Sequence, residues 1–218
     1  MSGPTSELPL PKPRPPSMEA LAKARAAMQA EAATPRRASW KAGVVKASGT
    51  IVGLSLAVAG VMLAVGACTV DFLSSRAVTL ASLMTVGVVT VWASLRPGGR
   101  VGRLVSLGLV AVAAVLIVLV RGAGEPSTQP AWVCTASHFA VGLAPAAVVI
   151  LLLRGMAPNR LRAVVAGLAA GSTGALVGEL ACAQSAGHVA VFHLSAWALV
   201  ALVVTFISSR LTPRSYAP

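Results

Sequence analysis

Long apolar runs alternate with short clusters of charge along the chain. Six runs stand between formal charges, at approximately 49–67, 77–95, 104–120, 139–153, 163–182 and 189–208. An arginine or lysine at the centre of a membrane helix costs about 2.5–3.5 kcal/mol on insertion scales, so the charges mark where spans end. Crossing a hydrocarbon core of about 30 Å takes about 20 residues. Two runs are short by that measure, and the fourth extends backward through the uncharged residues 132–138. The pattern predicts an all-α polytopic membrane protein with six transmembrane helices.

Ahead of the first run lies a different kind of sequence. Pro4, Pro9, Pro11, Pro13, Pro15 and Pro16 remove backbone donors and fix φ, which rules out a helix or a central strand. From Ser17 the periodicity becomes helical: Met18, Leu21, Ala24 or Arg25, Met28 and Ala32 share a face, with Ser17 as N-cap and Pro35 as stop. An isolated helix of about four turns is marginal in water, so it needs a partner protein or a membrane surface. Both readings stand here. Met18, Leu21, Lys23, Arg25, Met28 and the basic flank Arg36 and Arg37 form the candidate partner-binding set, or else a basic tether on anionic lipid. Trp40 falls where an amphipathic ring meets the inner interface. The chain thus divides into a Pro-rich, basic tail (1–48), a six-helix domain (49–211) and a short C-terminal tail (212–218).

Composition sharpens the membrane reading. The hydrophobic set makes up 56% of the residues and charged residues 11%, against about 25% charged in soluble domains. The net charge of +12 would suit nucleic acid if it were spread over one surface, but its distribution is topological. With the N-terminus inside, sixteen of the eighteen Lys and Arg residues face the cytoplasm, and only Arg76 and Arg121 lie outside. Both termini are therefore expected in the cytoplasm of a bacterial inner membrane, with the lipid bilayer as a partner and no direct contact with nucleic acid. The sequence Val65-Gly66-Ala67-Cys68 resembles a lipoprotein cleavage box, but 48 residues precede the apolar run, which does not fit a cleaved signal.

All three cysteines and all three histidines fall in the expected outer half. Counting about 1.5 Å per residue from the nearest inner charge places Cys68, Cys134 and Cys182 at about 30–33 Å, with His138, His193 and Glu179 just below and His188 near 33 Å. Cys134 and His138 are four residues apart, and Glu179 and Cys182 three, spacings at which side chains meet on a helix. Three chemistries fit. Cys134 and Cys182 can pair as a disulfide in an oxidising compartment, leaving Cys68 over. Thiolates and imidazoles can hold a soft metal such as Cu(I) or Zn(II). A thiol can also climb the oxidation ladder and report oxidant stress. The plain alternative is packing, because free cysteine behaves as a small hydrophobe. There is no C-x-x-C motif to favour a zinc ribbon or a thioredoxin-like site.

In the fifth run Gly167, Gly171, Gly174 and Gly178 recur at spacings of four, three and four, a small-residue face that lets helices approach closely. A packing seam inside the bundle is expected in preference to a dimer face. No charge sits near mid-span and no P-loop, H-E-x-x-H or G-x-S-x-G occurs, which disfavours a carrier and an enzyme. A small carrier or channel, or a thiol-based membrane oxidoreductase, are the alternatives to a regulator.

The second half resembles a known family. The run Cys134-Thr-Ala-Ser-His138, then Leu-Leu-Leu-Arg154-Gly-Met-Ala-Pro158, then Ala-Gly167-Leu-Ala-Ala-Gly171 with Gly174-Ala-Leu, then Cys182 and Phe192-His193, is similar to the NrsF-type bacterial membrane anti-sigma factors. Its length and character also look like those of the light-responsive regulators of carotenoid genes in that class. The resemblance covers about residues 132–211. It implies a non-enzymatic regulator without an obligatory cofactor. Such a regulator holds an extracytoplasmic-function (ECF) sigma factor through its cytoplasmic N-terminal segment and releases it, by itself or with a membrane partner, on an external light, oxidant or metal stimulus. It also implies that Cys134 and Cys182 are the sensing thiols, with His138 and His193 beside them. The Pro-rich opening departs from that family's pattern.

Overall fold

The computed structural model describes residues 17–33, 36–121, 124 and 130–211. The Pro-rich stretch 1–16 and the C-terminal tail 212–218 lie outside these residues, as do the side chains of Met28, Arg36 and Arg37. All regular structure among the described residues is helical.

The first helix, α1 (Met18–Ala33), belongs to a compact unit of its own, residues 1–39. Ser17 caps it as its position predicts: the Ala20 N–H donates to Ser17 Oγ at 3.1 Å and the Leu21 N–H to the Ser17 carbonyl at 3.0 Å. Residues 17–26 are exposed on every side. Over residues 17–26, then, its stability rests on alanine-rich propensity and the cap.

The second unit contains six helices long and apolar enough to cross a membrane: α2 (Arg36–Ala64), α4 (Ala77–Leu95), α5 (Arg100–Leu119), α6 (Ala131–Leu153), α7 (Arg160–Ala181) and the sixth, Ala186–Arg210. The last is built from α8 (Ala186–His188), a π-helical turn over Val189–His193, and α9 (Leu194–Arg210). The expected number is correct, but several boundaries move outward. The first span starts at Trp40, nine residues before the expected Gly49, and the third and fifth begin at Arg100 and Arg160. Charge ends a membrane span without ending a helix, because long basic side chains reach the interface while the backbone continues its i to i−4 ladder. Two features were not predicted: the short helix α3 (Val70–Ser75), capped by Thr69 Oγ1 accepting from the Phe72 N–H at 3.2 Å, and the π turn.

The hub is α7. Eighty-nine per cent of its apolar window is buried, against 17% for the first span, and α4, α6 and α9 pack directly on it. Its glycines explain why. A Cβ on Gly167 would sit 2.6 Å from Ala201 Cα, one on Gly171 would run into the Trp197 indole, and Cβ atoms on Gly174 and Gly178 would meet His138. The glycine face thus packs inside the bundle. Trp197 Nε1 donates to the Leu168 carbonyl at 2.6 Å, tying α9 to α7 at the same level. Pro145 is buried within α6, which continues through it. Apolar packing divides into two layers, one around Ile51, Leu95, Val149 and Val204, the other around Leu83, Ile117, Leu180 and Val189.

At one end of the bundle the buried Arg103 closes the α4 terminus, donating from Nε to the Ala93 carbonyl at 3.3 Å and from Nη2 to the Arg96 carbonyl at 3.0 Å. A cation over the last carbonyls of a helix suits both their open lone pairs and the helix dipole. The opposite end gathers the cysteines and histidines.

Candidate functional site

Three elements converge on the site. Cys134 stands in the first turn of α6, Cys182 caps the C-terminus of α7, and His188 and His193 bracket the π turn. The extra residue of a π turn changes which side chains face inward, and His188 and His193, five apart, both point to the cysteines. The ligand atoms of Cys134, Cys182, His188 and His193 all lie within 4.8 Å of one another. Thr135 holds the two elements together, donating from Oγ1 to the Phe192 carbonyl at 3.0 Å. All three thiols of the chain are free.

His193 is 2% exposed, and neither of its ring nitrogens has a hydrogen-bond partner. His188 Nε2 and His138 Nδ1 are also buried without partners. His138 packs edge-on against His193 with ring centroids 4.2 Å apart, and His188 lies 5.4 Å from His193 in the same manner. Buried polar atoms left unpaired cost about 1–3 kcal/mol each. A bond from an imidazole nitrogen to a bound ion removes that cost.

The donor set suits a soft or borderline ion. Two thiolates and two imidazoles match the tetrahedral Cys2His2 arrangement, with metal–ligand bonds of about 2.0–2.3 Å. Those bonds place ligand atoms about 3.3–3.8 Å apart. The widest separation of 4.8 Å therefore has to shrink by about 1 Å. The same proximity lets Cys134 and Cys182 approach for a disulfide, whose S–S bond is about 2.05 Å.

Two expected members lie elsewhere. Cys68 is buried at the α2–α3 junction and takes no part in the four-ligand set. Its calculated depth matched, but depth does not fix the position of a residue around the bundle. Glu179 is fully buried beside the site and is committed to cations: its Oε1 lies 2.8 Å from Arg121 Nη2 and its Oε2 3.2 Å from Arg76 Nη1. Arg121 Nη1 also donates to the carbonyls of Cys182 and Gln184. One guanidinium thus links the end of α5 to the loop that carries Cys182. Charge counting registered Arg76 and Arg121 as the two exceptions to the basic side and missed their role. The signal was there: a single acid at the end of an apolar run, with those two cations at the same end.

Of the partner-binding candidates, Met18 and Leu21 are 80% and 38% exposed, and Lys23 and Arg25 are exposed on the same helix.

The chain has relatives among known proteins. A 180-residue stretch, 82% of this chain, is 48% identical to the carotenogenesis protein CarR of Myxococcus xanthus and covers 81% of that protein. No solved structure matches. The model of the family described as negative regulator of sigma F, NrsF, matches residues 21–212, which extends the resemblance seen in residues 132–211 to the whole bundle and most of α1. The chain belongs to the NrsF family of negative regulators of a sigma factor.

Proposed function

We propose that this protein is a membrane-tethered anti-sigma factor for an ECF sigma factor, with the N-terminal unit in the cytoplasm and the Cys134, Cys182, His188 and His193 centre on the outer side of a bacterial inner membrane. The sigma factor docks on α1 and its basic flank. The family match includes α1 from Leu21 onward, and the exposed Met18 and Leu21 offer a partner an apolar contact. Sixteen of eighteen cations on one side of the span map support the orientation. The name of the relative, carotenogenesis protein CarR, supports carotenoid genes as targets.

The centre is the sensing element, and the observation that carries this is the convergence of four soft ligands within 4.8 Å around an imidazole with no other partner. A thiophilic ion such as Cu(I) or Zn(II) draws the four ligands inward by about 1 Å. Helix shifts of about 1–2 Å at packed interfaces are the usual size of a switching step. Because α7 carries Cys182 at its end and packs on three neighbours, it transmits that displacement as a rigid body. Closure of a Cys134–Cys182 disulfide, in which the two thiols give up two protons and two electrons to an external oxidant, is the second reading, supported by the same proximity.

The test is ion binding and sigma release in the full-length protein. Reduced protein in detergent is expected to bind one ion per chain and to lose it in His193→Ala and Cys182→Ser, with a reporter under the cognate sigma factor rising on metal addition in the wild type alone. Full metal binding in both variants would remove the centre from the proposal. A reporter that responds to oxidant but not metal, and fails in His193→Ala no more than in wild type, selects the disulfide.

A further inference from the structure

At the end of the bundle away from the cysteines, a cavity of about 310 Å³ opens between the C-terminus of α6, the N-terminus of α7 and the C-terminus of α9. Its lining is chemically one-sided. Arg154, Arg160 and Arg162 contribute to it, and no acidic residue does. Among the described residues no carboxylate pairs with any of the three. Arg154 Nε, Arg162 Nε and Ser208 Oγ are buried there without hydrogen-bond partners.

The first turn of α7 adds to the same field. Asn159 caps it, its side chain accepting from the Arg162 N–H at 3.0 Å, and the Ala163 N–H bonds to the Asn159 carbonyl. The N–H groups of Arg160 and Leu161 are left without intrahelical acceptors, as the first donors of any helix are. Free N–H groups, the positive end of a helix dipole and guanidinium groups together form an anion site, and phosphate oxygens fit both the N–H groups and the guanidinium fork. On its other wall the cavity is apolar, formed by Ile150, Leu153 and Leu211.

We propose that this cavity binds the phosphate headgroup of one anionic phospholipid. The phosphate group sits against Arg154, Arg160 and the α7 N-terminus, and the acyl chains run along the apolar wall. The position of the cavity commits the site to lipid. It lies where three of the six spans end, the depth at which headgroups reside, and on the side to which the charge asymmetry assigns the cytoplasm, whose leaflet carries the anionic lipids. Topogenic arginines need only be near the interface. They have no need to line a cavity together with an unpartnered hydroxyl and an open helix N-terminus. This inference rests on the bundle spanning the membrane and is independent of the Cys and His centre and of sigma binding.

The experiment uses the full-length protein purified in mild detergent, exposed to vesicles of phosphatidylglycerol or phosphatidylcholine and analysed by native mass spectrometry. One phosphatidylglycerol per chain is expected to be retained in preference to phosphatidylcholine. Arg154→Gln and Arg160→Gln are each expected to weaken retention about fivefold, the value of one cation near an anionic membrane surface. Arg100→Gln removes a cation at the same end that does not line the cavity and is expected to change nothing. Ser208→Trp, which narrows the cavity and removes the unpartnered hydroxyl while keeping every charge, gives a second route to loss if an arginine variant fails to fold. Equal retention of the two lipids, or an equal loss in Arg100→Gln, would show diffuse attraction and overturn the site. Displacement of the lipid by excess inorganic phosphate would assign the pocket to free phosphate and overturn the lipid proposal.

Discussion

Glu179 and Arg121 form an ion pair at 2.8 Å in which each side chain is 1% exposed, beside the cysteine that ends α7. Removing water from two charges costs several kcal/mol per ion, so the pair holds because its hydrogen-bonding is shared out: Glu179 also receives Arg76, and Arg121 also serves two loop carbonyls. Glu179→Ala leaves Arg121 buried and unpaired and is expected to destabilise the bundle by about 3–5 kcal/mol. The 17% exposure of the Arg76 side chain makes Arg76→Gln much milder. Melting temperatures of the two variants in the same detergent check the order. Equal losses would mean that the carboxylate is held chiefly by the outer arginine.

The seam glycines of α7 should not tolerate a methyl group, whereas Gly53 on α2 and Gly108 on α5 should. Gly167→Ala drives a Cβ to 2.6 Å from the Ala201 Cα, a backbone atom that cannot step aside. An overpacking cost of about 1–3 kcal/mol is expected. Gly178→Ala meets the His138 ring, so it should additionally disturb the histidines. Nothing lies within 4 Å of a Cβ at Gly53 or Gly108, and alanine there is expected to gain up to about 1 kcal/mol of helix propensity. Thermal unfolding of the four variants separates the two classes. A Gly53→Ala variant as damaged as Gly167→Ala would place another surface against α2.

Much of this architecture was legible because a bilayer constrains sequence so strongly. Spans, their number and the glycine seam followed from apolar length, charge position and small-residue spacing. Details of the site did not. The π turn that brings His188 and His193 to one face leaves no mark in composition, since it depends on one extra residue in the ladder. Cys68 was grouped with the site on depth, and Glu179 on depth and its three-residue spacing to Cys182, yet Cys68 stands apart from it and Glu179 belongs to an ion network. Depth can be read from a count of residues. Azimuth depends on tertiary packing.

That separation of Cys68 gives a direct contrast. Cys68→Ser is expected to leave ion binding at one per chain, whereas Cys134→Ser and Cys182→Ser each remove a thiolate and should lower affinity by orders of magnitude, since the ligand set then falls from four to three. Metal content after dialysis against a chelator reads the difference. Full loss in Cys68→Ser would show that the first span closes onto the centre.

The exposed apolar residues of α1 decide between its two readings. Burying a leucine side chain at an interface is worth about 1.5–3 kcal/mol, or about 10- to 100-fold in affinity. Leu21→Asp in the full-length chain is therefore expected to weaken capture of the sigma factor by at least about tenfold, with metal binding at the Cys and His centre unchanged. A double Lys23→Gln and Arg25→Gln variant removes charge and keeps the apolar contact, and its effect should shrink as salt rises. If α1 were instead a lipid tether, the two variants would release the N-terminal unit from anionic vesicles and leave sigma capture intact. A pulldown of the sigma factor, and lipid quenching of a fluorophore on α1 in the same proteins reconstituted into anionic vesicles, therefore give opposite patterns for the two readings, and capture unaffected by Leu21→Asp would overturn α1 as the docking element.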